Sequence, residues 1–229
     1  MKKLLKEWRK FIAEANKKQF PYQIYCDLDG VLVDFEGGAT KYINKDLEDS
    51  SRVPENLRKT YNKMVARLEE AGRPLHISHD DFSFDRDIRI NAVRNYMYAR
   101  LQDNLEFWSG LDWLKPSAEH PNQDGQKLWN YIKDLDPPPL ILTAPMKSDK
   151  RSGDHEGKRL WIQEHLNIPA TSPRILIEKN KWEYAAPRNL LIDDTYKKVG
   201  PWLDAGGQAI HHTNTEDTIK ELKEYAKEF

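Results

Sequence analysis

Five short apolar runs constrain this 229-residue chain more than any other feature. They are Tyr22–Cys26, Leu140–Thr143, Ile175–Ile177, Asn189–Asp193 and Gln208–His211. Each is too short for a helix, and most are rich in β-branched, leucine or aromatic residues, as buried strands are. Segments with helical spacing lie between or after them, at Gln126–Leu135, Gly157–Leu166 and Thr215–Lys227. Strands that alternate with helices imply a parallel sheet covered on both faces, so an α/β class is expected.

Two stretches stand outside that rhythm. Residues 1–20 carry Leu4, Leu5, Trp8, Phe11, Ile12 and Ala15 at helical spacing, with lysines between them. This amphipathic helix either packs on the domain or meets a partner or membrane surface, and Pro21 ends it. Residues 39–106 show helical spacing and no strong strand pattern, for example at Leu57, Tyr61, Met64, Val65 and Leu68, then at Ile90, Val93, Met97 and Leu101. The expected organisation is an N-terminal helix (1–20), an α/β core (21–38 and 107–229) and a helical insert (39–106). Gly37 and Gly38 are hinge candidates at the entry to the insert, and Pro137–Pro139 reads as a stiff connector before a strand.

Composition narrows the function classes. Lys plus Arg number 36 and Asp plus Glu 37, which argues against a nucleic-acid-coating or polybasic membrane protein. Charged residues make up 32%, but 7 Trp, 10 Tyr and 7 Phe are too many for a disordered polyelectrolyte. The lone Cys26 excludes an intramolecular disulfide framework and a multi-cysteine zinc site. No apolar run approaches the roughly 20 residues needed to cross a bilayer. The lysine-rich start has no apolar stretch of a secretory signal, so a cytoplasmic setting is expected. Oligomeric state leaves no signature.

The chemistry collects where the strands stop. The first run ends at Asp27 and Asp29, the second at Thr143, and the fourth at Asp193 and Asp194; Lys181 lies just beyond the third. Ligands of an open parallel sheet bind beyond the carboxyl ends of its strands. Carboxylates gathered there repel one another unless a cation neutralises them, and oxygen ligands suit magnesium better than zinc or copper. A hydroxyl and a lysine facing that cation suit phosphate oxygens. A carboxylate there can attack phosphorus, and a second, two residues on, can protonate the leaving oxygen. Taken singly, each piece has a plainer explanation: a loop for the Asp-x-Asp, a helix cap for the Asp-Asp pair, a surface position for the lysine. Their order on successive strand ends is what points to chemistry. His76, His79, Asp80 and Asp81 read as a solvated loop or cap, and His211-His212 as surface residues. Cys26 reads as a buried small hydrophobe. No Ser-His-Asp order, glycine-rich phosphate loop or zinc signature is present.

Asp27-Leu28-Asp29-Gly30-Val31-Leu32-Val33-Asp34 resembles the first motif of the haloacid dehalogenase superfamily of phosphohydrolases. Leu142-Thr143 resembles the second motif, Lys181 the third, and Leu190-Leu191-Ile192-Asp193-Asp194 the fourth. Extended through Phe35-Glu36-Gly37-Gly38, the first motif is similar to that of the 5'(3')-deoxyribonucleotidases. The resemblance implies a Rossmann-like core with a small helical cap after the first strand, and a magnesium-dependent phosphomonoesterase acting through a phospho-aspartate. It makes Asp27 the nucleophile and a metal ligand. Asp29 becomes the general acid/base and gives its carbonyl to the metal. Asp194 completes the ligands, with Asp193 in support. Thr143 and Lys181 would bind phosphate, with Ala144 and Lys158 as further candidates and Lys179 competing for the third motif. Phe35, Phe107 and Trp108 would wall a pocket for a flat base. The expected partner is a small phosphorylated substrate, a nucleoside monophosphate, with neither membrane nor nucleic acid.

The chain departs from that family in four places. Ala144 stands where a serine is common, and Thr195 where an arginine is familiar. Lys147–Gly157 is long and polar, and the insert is large. Two alternatives remain open. One is the same chemistry on nucleic-acid ends or sugar phosphates. The other is a phosphoacceptor module without turnover.

Overall fold

The computed structural model describes residues 18–78, 88–117, 121–146 and 152–228. The expected N-terminal helix falls outside these residues except at its last positions, as do His79, Asp80, Asp81 and Lys147. Along the chain run β1 (Lys18–Gln19), β2 (Gln23–Cys26), α1 (Phe35–Glu48), α2 (Arg58–Glu70), α3 (Ile88–Leu101), α4 (Leu105–Ser109) and α5 (Gly125–Ile132). There follow β3 (Leu135–Asp136), β4 (Leu140–Thr143), α6 (Gly153–Leu166), β5 (Ile175–Ile177), β6 (Asn189–Asp193), α7 (Tyr196–Asp204), β7 (Gln208–His211) and α8 (Thr215–Tyr225).

All five apolar runs become strands of one sheet, in the order β5-β4-β2-β6-β7, with every pairing parallel. The fold is a mixed α/β architecture with a parallel sheet flanked by helices. Alternation along the strands sorts the side chains. Tyr25, Leu142 and Leu191 pack with Trp202 of α7. Ile24, Cys26, Ile141, Leu190 and Ile192 take the alternate positions, and all are fully buried. Burial also pushes the Cys26 thiol far up, with the Asp27 charge adding to it, so this cysteine is an inert part of the core.

Two expectations are corrected beside the proline run. Lys18 is not helical but pairs in β1 with Leu135 of β3, and α5 stops at Ile132 rather than Leu135. Pro137–Pro139 explains the second change. Proline lacks an N–H and forces the residue before it out of the helical region, so Asp136 must be extended. Phe20 N–H then donates to the Asp136 carbonyl (2.8 Å).

Close contacts divide the chain into two units. The first comprises residues 1–32, 113–144 and 173–229 and holds the sheet; the second comprises 33–112 and 145–172. The expected insert falls inside the second unit, whose described elements are all helical. There α1 is capped by Asp34, which accepts from Gly37 N–H (2.9 Å). Tyr61, Met64 and Leu68 of α2 and Val93, Tyr96, Met97 and Leu101 of α3 are buried, as the helical spacing predicts. The fully buried Asp46 accepts from Tyr96 Oη and Arg100 Nε (both 2.8 Å), so its charge is paired inside the helical core. Asn44 pairs in both directions with the Ile77 backbone, at 2.8 and 3.0 Å, and so ties the 76–78 segment to α1. Among the described residues, no helix is long and apolar enough to cross a membrane.

Candidate active site

Strand register assembles the site. Cys26 pairs with Ile192, so the next residues, Asp27 and Asp193, stand side by side at the ends of β2 and β6. Asp27 N–H donates to the Ile192 carbonyl (2.9 Å), extending the ladder one step beyond β2. Cys26 also pairs with Ile141, which carries Thr143 two residues further at the same end of the sheet, fully buried. Lys181 enters from a short 3-10 turn, Lys181–Tyr184, after β5.

Lys181 joins the two strand ends. Its Nζ lies 2.8 Å from Asp27 Oδ2 and 2.6 Å from Asp193 Oδ2, and all three side chains are buried. Burial alone would lower the Lys181 ammonium, but the two carboxylates more than reverse this and hold it above its ordinary value. Asp193 is raised to about 6, by desolvation first and the Asp27 charge next, against the pull of Lys181. Asp27 Oδ1 accepts from Leu28 N–H (2.7 Å), so each of its oxygens has a fixed donor.

Asp194 is exposed as a residue, yet its carboxyl is pushed up to about 8. Desolvation contributes most, followed by repulsion from Asp27 and Asp193. Gly30 (φ +74°) allows this packing: a Cβ there would collide with the Asp194 carboxylate, and the backbone conformation itself disfavours other residues. Thr195 braces the pair. Its N–H donates to Asp193 Oδ1 (2.9 Å) and its hydroxyl to Asp194 Oδ1 (3.2 Å).

Asp27, Asp193 and Asp194 each offer an oxygen within 4.8 Å of the other two. Among the described residues, Lys181 alone makes an ion pair with these three carboxylates, so the cluster is short of positive charge. An all-oxygen, anionic donor set of this kind fits a hard divalent cation such as magnesium. These are the residues that would hold it. Asp29, two residues on from Asp27, is half-buried, and Ala144 follows Thr143 in a half-buried position.

The remaining candidates separate. Lys179 is exposed, whereas Lys181 reaches Asp27. Phe35, Phe107, Trp108 and Lys158 gather in the second unit. Phe35 stacks on Trp108 (5.2 Å, 7° between planes) and meets Phe107 edge-on (6.2 Å). The buried Lys158 Nζ lies 4.8 Å from the centre of the Trp108 ring. Trp108 donates Nε1–H to the Leu101 carbonyl (2.8 Å) and is buried, so it packs as core, while Phe35 is half-exposed.

Sequence reasoning gave no functional role to three neighbours of the acidic centre. Thr195 follows the Asp-Asp pair as a helix N-cap, the one signal that could have flagged it. Lys198 donates to the Lys179 carbonyl (2.8 Å) and is lowered by desolvation and by Lys181. The exposed His211 ring places Nε2 2.9 Å from the Asp194 carbonyl. His212 is not a surface residue: it is buried, with Nδ1 2.8 Å from Thr218 Oγ1, because the chain turns inward after β7 to start α8.

No family model and no curated protein matches the chain. Solved structures of similar shape include a HAD family hydrolase from Deinococcus radiodurans R1 with bound phosphate and sodium (11% identity, 90% of this chain and 88% of that one, TM-score 0.43). The putative HAD-hydrolase YfnB from Bacillus subtilis bound to magnesium shares 13% identity over 90% of this chain and 99% of its own (TM-score 0.41). The L-2-haloacid dehalogenase from Xanthobacter autotrophicus shares 11% over 89% and 82% (TM-score 0.41). Identities and scores this low leave the question of chemistry to the site itself.

Proposed function

We propose that the chain is a magnesium-dependent phosphomonoesterase that works through a phospho-aspartate on Asp27, with nucleoside monophosphates as its substrates. The observation that carries this is the buried Lys181 between Asp27 and Asp193, with Asp194 beside them, at the carboxyl ends of adjacent parallel strands. A structural ion pair would need one carboxylate for one lysine. Here the negative charge is in excess and one carboxyl is pushed up to about 8.

Leu28 N–H and Lys181 orient the Asp27 carboxylate, and its burial keeps bulk water from solvating the attacking oxygen. That oxygen bonds to phosphorus as the ester P–O bond breaks, and Asp29 gives its proton to the departing oxygen. Water then attacks the phosphorus, Asp29 takes back a proton, and phosphate leaves with the Asp27 carboxylate restored. Lys181 and the Thr143 hydroxyl hold phosphate oxygens through both halves. A bound divalent cation would offset the charge shared by Asp27, Asp194 and the phosphate. The motif resemblance favours nucleotides over other phosphomonoesters. Such an enzyme fits a soluble, cytoplasmic setting.

The test is phosphate release from a panel of 5'- and 3'-nucleotides, deoxynucleotides, sugar phosphates and a 3'-phosphorylated oligonucleotide, with and without magnesium. Release should require magnesium and be fastest on mononucleotides. Barriers to this hydrolysis fall by roughly 20 kcal/mol or more in enzymes, so Asp27→Asn should drop to background while still folding to the native secondary structure by circular dichroism. Turnover by that variant would refute the nucleophile, and preference for another ester would move the substrate class. A stable aspartyl-phosphate without turnover would favour a phosphoacceptor instead.

A further inference from the structure

His211 lies outside the motifs that suggest catalysis, yet it makes a specific contact with the acidic pair. Its register partner across the sheet is Asp193, and its Nε2 is 2.9 Å from the main-chain oxygen of Asp194. A carbonyl only accepts, so the imidazole donates there and carries its proton on Nε2. The amide on the other side of that peptide unit, Thr195 N–H, donates to Asp193 Oδ1 (2.9 Å). One planar peptide is therefore held at both ends: its carbonyl by His211, its N–H by the carboxylate of Asp193. The neighbouring His212 N–H fixes the preceding carbonyl, that of Asp193 (2.9 Å). Tyr196 meets the His211 ring edge-on (5.9 Å, 76°) and limits its rotation.

We propose that His211 is a positioning residue for the acidic pair, anchoring the Asp194–Thr195 peptide so that the Asp193 and Asp194 carboxylates keep the orientation needed to hold a divalent cation. Without the imidazole the peptide unit can rotate. Thr195 N–H then leaves Asp193, and the Thr195 hydroxyl leaves Asp194. Hydrogen bonds linked through one peptide also polarise one another, so the two contacts act together. The part of this inference that concerns the cation rests on the function proposed above; the anchoring does not.

The experiment uses the full-length protein with His211→Ala and His211→Gln, glutamine being able to restore a side-chain N–H donor. Amide hydrogen exchange of Thr195 is measured without metal, and magnesium affinity by calorimetry. Outer-shell partners of metal ligands typically matter 10- to 100-fold, so His211→Ala should weaken magnesium binding at least about tenfold. Protection of the Thr195 amide should fall while amides within β6 stay protected, and His211→Gln should restore much of both. Unchanged Thr195 protection in His211→Ala overturns the anchoring. Lost protection with unchanged affinity overturns the link to the cation. A wild-type protein that binds no magnesium overturns the metal function, and the Thr195 amide then decides the anchoring alone.

Discussion

Replacing Lys181 by methionine tests the electrostatics of the site without invoking turnover. Methionine keeps much of the volume of the buried stem and removes the charge. At 2.8 and 2.6 Å and an effective dielectric near 20, each contact between unit charges is worth about 6 kcal/mol before desolvation is counted. Desolvation of the ammonium takes back a large share, and removing one partner of a buried pair costs about 3–5 kcal/mol in practice. For a chain of this size each kcal/mol moves the midpoint by about 2–4 °C, so Lys181→Met should melt roughly 6–20 °C lower at pH 7. The pH dependence sharpens the test. In the variant, Asp193 loses its counter-charge, so its folded pKa rises further above the unfolded one. An acid whose folded pKa is raised gains stability as pH falls through that value, because the folded state then binds more protons. The deficit against wild type should therefore shrink between pH 7 and pH 5. Differential scanning calorimetry of both proteins across that range, without metal, measures it. A deficit under about 1 kcal/mol, or one that grows on acidification, would refute the charge-bridge account.

Two further outcomes follow from single residues. The buried His212 is pulled down to about 4, by desolvation first and His211 next. A base whose folded pKa is lowered costs stability as pH falls from its unfolded value near 6.5 to the folded value, to a limit of about 3 kcal/mol. Acid unfolding curves of His212→Asn should be flatter than wild type in that window, and equal slopes would count against the burial argument. Gly30→Ala places a methyl group against the Asp194 carboxylate at a backbone conformation that disfavours it. It should lower the melting point by a few degrees and weaken magnesium binding at least about tenfold. Wild-type affinity in a folded Gly30→Ala protein would show that Asp194 tolerates displacement.

The strands were legible because a buried parallel sheet needs local signals: β-branched and leucine runs bounded by polar residues. Leu140–Thr143, Ile175–Ile177, Asn189–Asp193 and Gln208–His211 appear in the structure with the bounds that their composition implies. The helical spacing of Tyr61, Met64 and Leu68 was equally readable, since a 3.6-residue period leaves its mark in any exposed-and-buried helix. Asp27, Asp193, Asp194 and Lys181 could be nominated because each stands at or beyond a strand end. The end of α5 was misjudged by three residues because apolar spacing continues to Leu135, while the prolines beyond decide the backbone.

The strand segments, and the carboxylates at their carboxyl ends, were written in local sequence, since both depend on neighbours along the chain. Folding in three dimensions settles which lysine meets Asp27, that His212 turns inward, and that His211 and Asp193 hold opposite ends of the Asp194–Thr195 peptide. Those contacts depend on the register between strands far apart in the chain. A hydrogen bond about 2.9 Å long between two such strands has no periodicity to announce it.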